Sequence, residues 1–303
     1  MAGVALVALL LMLPFAIPSA LYPVRSTVRA GTFDGQRALE HVRQLVAIGP
    51  RVAGSPGAQR ARDYISKEIA ALGLRAEPQT FDAKTPLGPV KMVNLRVAIP
   101  AGASLDGPRV ILAGHFDTKL FKEFTFVGAN DAGSSAAFLI EAARVLRERS
   151  LPMPIELLFL DGEEAVVEWQ GDDHTYGSRH YVHAAERAGT LKNIRALILV
   201  DMIGDRDLRI SREANSTPWL TETIWNTARR LKASAFVDHI TPIEDDHIPF
   251  LEAGVPAVDI IDLEYTAWHT AEDTLDKVSA RSLQTVGDVV MEALPEIMER
   301  VRR

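Results

Sequence analysis

Four short, almost wholly apolar runs constrain this chain more than any other feature. They are R-V-I-L-A-G-H at 109–115, I-E-L-L-F-L-D at 155–161, L-I-L-V-D at 197–201 and A-V-D-I-I at 257–261. Runs this short and this apolar read as strands buried on both faces, which is the pattern of a parallel sheet. Stretches of helical spacing separate them. Residues 34–48 and 57–73 read as helices, the second with Ala61, Tyr64, Ile65, Ile69 and Leu72 on one face. Helices are also predicted at 133–147, near 176–188, at 218–232 (opening on Pro218) and at 281–301. The last carries Leu283, Val286, Val290, Leu294 and Ile297 as a stripe, with Pro295 expected to kink it. A further β-type segment covers 90–99, while 118–130 and the segment G-P-R-V-A-G-S-P-G at 49–57 have loop chemistry. Strands alternating with helices predict a three-layer α/β/α sandwich around a central, mostly parallel (mixed) sheet.

The length, 303 residues, suits one large domain once a non-globular start is set aside. The expected division is residues 1–30 as signal peptide or anchor and 31–303 as a single catalytic domain. Residues 1–22 carry no charged side chain, and Pro14 and Pro18 interrupt an apolar run too short for a comfortable membrane span. With small residues near Ser19-Ala20, this reads as a secretory signal or an uncleaved anchor, and the protein is expected to be exported, periplasmic or secreted. The net charge of −7 argues against a nucleic-acid partner. There are no cysteines, so any metal must be held by His, Asp and Glu.

A sheet of this type binds ligands beyond the carboxyl ends of its strands. The polar residues stand there. His115-Phe116-Asp117 follows the first run, Asp161-Gly162-Glu163-Glu164 the second, Asp201 ends the third, and Trp268-His269-Thr270 follows the fourth within ten residues. Asp131 precedes the Ala-rich helix in G-A-N-D-A-G-S-S. A single Asp in such a place is usually a cap or turn residue, and His41, His174, His180, His183 and His239 read as ordinary surface histidines. The joint placement of so many ligand-type residues instead predicts a metal site, with zinc suited to His and carboxylate donors. Glu163 and Glu164 are adjacent and point in different directions, so one is free to bind metal while the other moves protons.

The order H-F-D, N-D-A-G, D-G-E-E, D-M-I-G and W-H-T resembles the zinc aminopeptidase superfamily, which includes the glutaminyl cyclases. The resemblance covers about residues 35–300 and takes in the 49–57 loop. If the chain follows the aminopeptidases, His115, Asp131, Glu164, Asp201 and His269 bind two zinc ions, Asp131 bridging and Glu163 acting as base. If it follows the cyclases, one Zn²⁺ is held by Asp131, Glu164 and His269. Three segments are similar to the cyclases: D-G-E-E-A-V-V-E-W-Q-G-D-D-H-T-Y-G-S-R-H with its Trp169 insertion, E-D-D-H-I-P-F-L-E-A-G-V-P-A at 244–257, and Trp268 before His269. The departures are Met202 in D-M-I-G, a shorter 262–268 loop across which Tyr265 is matched to a pocket aromatic, and the missing cysteines of the animal enzymes. The resemblance thus implies cyclisation of the N-terminal glutamine of peptides or proteins to pyroglutamate, with ammonia released. It also implies catalytic roles for Glu163, Asp201 and Asp245, and substrate contacts from Trp169, Trp268 and Tyr265.

Overall fold

The structure is a computed structural model and describes residues 32–302. The apolar segment 1–22, read as a signal or anchor, lies outside the described residues. Among the described residues, no helix is long and apolar enough to cross a membrane.

The chain opens with two helices, α1 (Gly35–Ile48) and α2 (Pro56–Ala71). Asp34 caps α1 by accepting from the amides of Gln36 and Arg37, and Ser55 caps α2 ahead of Pro56. Next come β1 (Ala76–Thr85), β2 (Gly88–Ile99), β3 (Arg109–His115), α3 (Gly133–Leu146), β4 (Ile155–Leu160), α4 (Tyr176–Arg187) and β5 (Ile194–Asp201). The remainder is β6 (Ile210–Glu213), α5 (Pro218–Leu231), β7 (Phe236–Thr241), α6 (Ile248–Glu252), β8 (Ala257–Ile261) and α7 (Ala280–Val301).

Six strands form the central sheet in the order β1-β2-β4-β3-β5-β8, while β6 and β7 pair separately. The four strands β4, β3, β5 and β8 run parallel, and β1 and β2 add an antiparallel edge. Residues of β3 divide by parity. Val110 and Leu112 face a large core built with α1, α2, α3, α5 and α7, and Ile111 and Ala113 face a second core under α4 and α6. Each such buried Val, Leu or Ile side chain contributes about 1.5–3 kcal/mol. The expected three-layer α/β/α sandwich is therefore present, mixed as anticipated.

Three strands and one helix escape the sequence reading. Strand β1 (A-E-P-Q-T-F-D-A-K-T) is an edge strand with most positions at least partly exposed, so it lacks an apolar run. The short β6, β7 and α6 have too few buried positions to show a period. Helix α7 runs through Pro295. Proline has no N–H for the carbonyl of Met291, and Arg149 Nη1 donates to that oxygen at 2.7 Å instead.

The connections leave β3 and β5 in opposite directions, toward β4 and β8 respectively. Such divergence opens a crevice beyond the carboxyl ends of the two strands.

Candidate active site

The crevice receives its polar residues from five places. Strand β3 ends on His115, and β5 ends on Asp201. Strand β4 runs into Asp161–Glu164, and the loop after β8 delivers His269. Asp131 stands just before α3, whose start lies against the strand ends. Gly114 permits that approach: a Cβ there would lie 2.9 Å from Ser135 Cβ and 3.0 Å from the Val200 carbonyl oxygen.

Asp131 sits between two histidines. Its Oδ1 lies 3.4 Å from His115 Nε2 and its Oδ2 3.3 Å from His269 Nε2. His269 Nε2 is also 3.1 Å from Glu164 Oε1. The ligand atoms of Asp131, Glu164 and His269 all fall within 4.8 Å of one another, and so do those of His115, Asp131 and Asp201. Glu163 faces another way, its Oε2 3.7 Å from His115 Nδ1. Asp117 sets this divergence from beneath, because its two carboxylate oxygens accept the backbone N–H groups of Glu163 and Glu164 at 3.2 and 3.3 Å.

Charge in the site is lopsided. Burial pushes the Glu163 carboxyl well above its usual range; His115 opposes the rise, and Glu164, Asp245 and Asp246 add to it. Burial also lifts Glu164 to about 7, with Asp131 adding and His269 opposing. Asp245 rises to about 6 through burial and the nearby Asp201. Burial pushes Asp131 the same way, but the close His115 and His269 imidazoles outweigh it and hold that carboxyl well below the ordinary range. Burial lowers His269, yet Asp131 and Glu164 overcome it and bring the imidazole to about 9. Asp131 Oδ2 and Glu164 Oε2 are buried and have no hydrogen-bond partner. Two orphaned carboxylate oxygens beside an imidazole nitrogen fit a divalent cation. Asp201, the acid of the second trio that the first does not share, is better satisfied. Asp201 Oδ1 is 3.1 Å from His115 Nε2 and accepts from Ser135 Oγ at 3.1 Å and Met202 N at 2.8 Å.

A cavity of about 440 Å³ opens over these groups. Asp131, Glu163, Glu164, Asp201, Asp245 and His269 line its polar side, and Trp169, Trp268, Ile243, Ile261 and Leu263 much of its apolar side. Trp268 stacks on the His269 ring at 4.5 Å between centroids. Tyr265 is not among the lining residues. It is buried, and its hydroxyl donates to Asp273 Oδ1 at 2.7 Å. The short 262–268 loop turns this ring inward under the site, so the expected pocket contact is replaced by a support.

Several contributors had no clear mark in the sequence. Lys119 reaches the rim, Nζ 3.9 Å from Glu164 Oε2. His174, expected on the surface, is only 4% exposed and stacks under Trp169 at 4.2 Å. Glu244 accepts from Trp169 Nε1 at 3.2 Å and ties the tryptophan to the E-D-D-H segment. Two residues after H-F-D and one before D-D-H, Lys119 and Glu244 could have been singled out by adjacency; His174 could not, since only packing covers it.

A profile described as Peptidase family M28 matches residues 94–294, and the chain belongs to that family. The family is metal-dependent. The chain is 31% identical over 264 residues to a glutaminyl-peptide cyclotransferase-like protein of Bos taurus, covering 77% of this chain and 68% of that one. It is 30% identical over 263 residues to the glutaminyl-peptide cyclotransferase of Drosophila melanogaster, covering 77% and 73%. A crystal structure of an Acidobacteriales bacterium glutaminyl cyclase superposes with a TM-score of 0.84 at 40% identity, over 91% of this chain and 98% of that one. Within the M28 family, the chain therefore stands with the glutaminyl-peptide cyclotransferases.

Proposed function

We propose that this chain converts the N-terminal glutamine of peptides or proteins to pyroglutamate and releases ammonia. The observation that carries the reading is one cavity in which Glu163 stands beside the Asp131, Glu164 and His269 trio under two tryptophan walls. One zinc ion held by Asp131, Glu164 and His269 would act as a Lewis acid on the γ-carbonyl of the substrate.

The protein's own groups do the rest. The cavity holds the glutamine side chain folded so that its α-amine reaches its own γ-carbonyl carbon, which replaces a bimolecular encounter by an oriented one. Glu163 removes one proton from the α-amine as the new C–N bond forms. The same proton then goes to the γ-nitrogen, the C–NH₂ bond breaks, and ammonia leaves. A carboxyl raised above its ordinary range suits both halves of that transfer. Asp201 and Asp245 border the same space and act as acceptors for the reacting nitrogens or hold Glu163 in place. Trp169 and Trp268 restrict water, which would otherwise hydrolyse the amide.

A second reading has a specific observation behind it. The trio His115, Asp131 and Asp201 shares Asp131 with the first and could hold a second ion, as a two-zinc aminopeptidase requires. Against it, the two orphaned oxygens, Asp131 Oδ2 and Glu164 Oε2, belong to the two acids of the His269 trio, whereas Asp201 Oδ1 is already engaged. A Gln-initiated peptide separates the readings. Ammonia release with the peptide left intact supports cyclisation, and free glutamine without ammonia supports hydrolysis. Residues 1–22 support export, by a signal or an anchor, which N-terminal sequencing of the mature protein tests.

A further inference from the structure

We infer that Arg51 and Asp273, with Tyr265, form a clamp of opposite charges whose role is to position Asp131 as a metal ligand. The inference rests on the proposed metal site and extends it to residues outside the cavity.

Asp131 lies in a segment, 116–132, that has no helix or strand of its own, so its backbone needs partners from elsewhere. Arg51 supplies them on the carbonyl side. It is completely buried, and its guanidinium donates to the backbone oxygens of Phe116, Val127 and Gly128 at 2.8, 2.7 and 2.8 Å. Its own amide donates to Thr118 Oγ1 at 2.9 Å. The Gly128 oxygen also accepts from Gly133 N at 3.1 Å, which closes the turn around Asp131. That turn is tight: a Cβ on Gly128, whose φ is +51°, would lie 1.9 Å from the Asp131 carbonyl oxygen. Asp273 supplies partners on the amide side. Its Oδ1 accepts from Asn130 N at 2.8 Å and its Oδ2 from Asp131 N at 3.1 Å, while Ala129 N donates to its carbonyl at 3.2 Å. Tyr265 then fixes the Asp273 carboxylate.

A planar fork of five donors is the side chain that can satisfy three convergent carbonyls while keeping its charge. Its charge matters here, because a buried cation offsets Asp273, Asp131 and Asp117, whose field it feels. The loop motif G-P-R-V-A-G-S-P-G thereby gains a function in this site. Nothing in the clamp contacts the cavity, so these are positioning residues. Loss of such outer partners weakens metal binding by roughly 10–100-fold.

The experiment is zinc affinity of the full chain, measured by chelator competition, with the melting temperature of the metal-free protein followed in parallel. Asp273→Asn and Arg51→Met are expected to weaken zinc about tenfold or more, and Tyr265→Phe by a smaller factor. Lowered melting with unchanged zinc affinity would mean a purely structural role and overturn the proposal. If Arg51→Met does not fold, Asp273→Asn and Tyr265→Phe decide. His269→Ala separates the two levels of inference. If wild type binds zinc, His269→Ala loses it, and Asp273→Asn binds as wild type, only the clamp fails. If wild type and His269→Ala bind alike, the metal assignment fails and the clamp with it.

Discussion

Glu164 Oε1 lies 3.1 Å from His269 Nε2 although 105 positions separate the two residues. Glu163, the next residue back, faces His115 instead. Adjacent carboxylates are thus committed to different sides of one cavity, and their separate duties are open to direct tests.

Metal content is the first. Glu164→Ala and His269→Ala should each lose most of the zinc, while His115→Ala should keep close to one ion per chain. Metal analysis of purified protein reads this directly. Two ions in wild type, with one lost in His115→Ala, would move the assignment to the two-metal reading.

Glu163→Gln should retain the metal and lose turnover. The amide keeps the shape but neither accepts nor delivers the proton, so kcat is expected to fall by about 10²–10⁴-fold. Ammonia release under saturating peptide, alongside zinc content, is the measurement. Turnover within threefold of wild type would remove Glu163 from the proton path.

The tryptophan walls predict a different kinetic signature. Trp169 stacks on His174 and is bonded to Glu244, so its position precedes substrate binding. Trp169→Ala should raise KM for Gln-initiated peptides by roughly tenfold, the loss expected from about 1–2 kcal/mol of apolar contact. Zinc content should not change. An unaltered KM would place the glutamine elsewhere in the cavity.

Stability should depend on pH through His41, which lies on α1 outside the cavity lining. Its Nδ1 is 2.6 Å from Tyr64 Oη, and burial lowers its pKa from 6.5 to about 4. The unfolded chain therefore binds this proton at a higher pH than the folded one. The contribution is fully present above 6.5 and is lost as pH falls toward 4. Between pH 7 and 4.5, wild type should lose about 1–2 kcal/mol more than His41→Gln, a partial value because the ring keeps some solvent contact. Urea unfolding of both proteins at the two pH values tests it. Equal losses would be evidence against the assignment.

Much of the architecture was legible because burial writes itself into composition. Strands β3, β4, β5 and β8 are buried on both faces apart from Arg195 at the start of β5, so they read as apolar runs, and the acids that follow them stand out by contrast. Strands β1 and β7 show no such contrast because most of their positions remain solvated, and β6, though largely buried, is a four-residue strand of mainly polar side chains.

The sequence alone determined which residues the sheet could deliver to its edge, since a strand end places its next residue in the crevice whatever the rest of the chain does. It placed Glu163, Glu164 and Asp201 there through the ends of β4 and β5, whereas Asp131 and His269 stood out by the N-D-A-G and W-H-T motifs, and Trp169 and Trp268 by the resemblance to the cyclases. Only the tertiary structure decided how they face one another. Packing turned Tyr265 inward onto Asp273, covered His174 with Trp169, and put Arg51 against the carbonyls of the loop that carries Asp131. Arg51 donates to carbonyls 65 to 77 positions away, Tyr265 reaches Asp273 across 8, and Trp169 meets His174 by ring stacking rather than by a hydrogen bond. These contacts leave no periodicity or local composition to read, because their specificity comes from direction and distance.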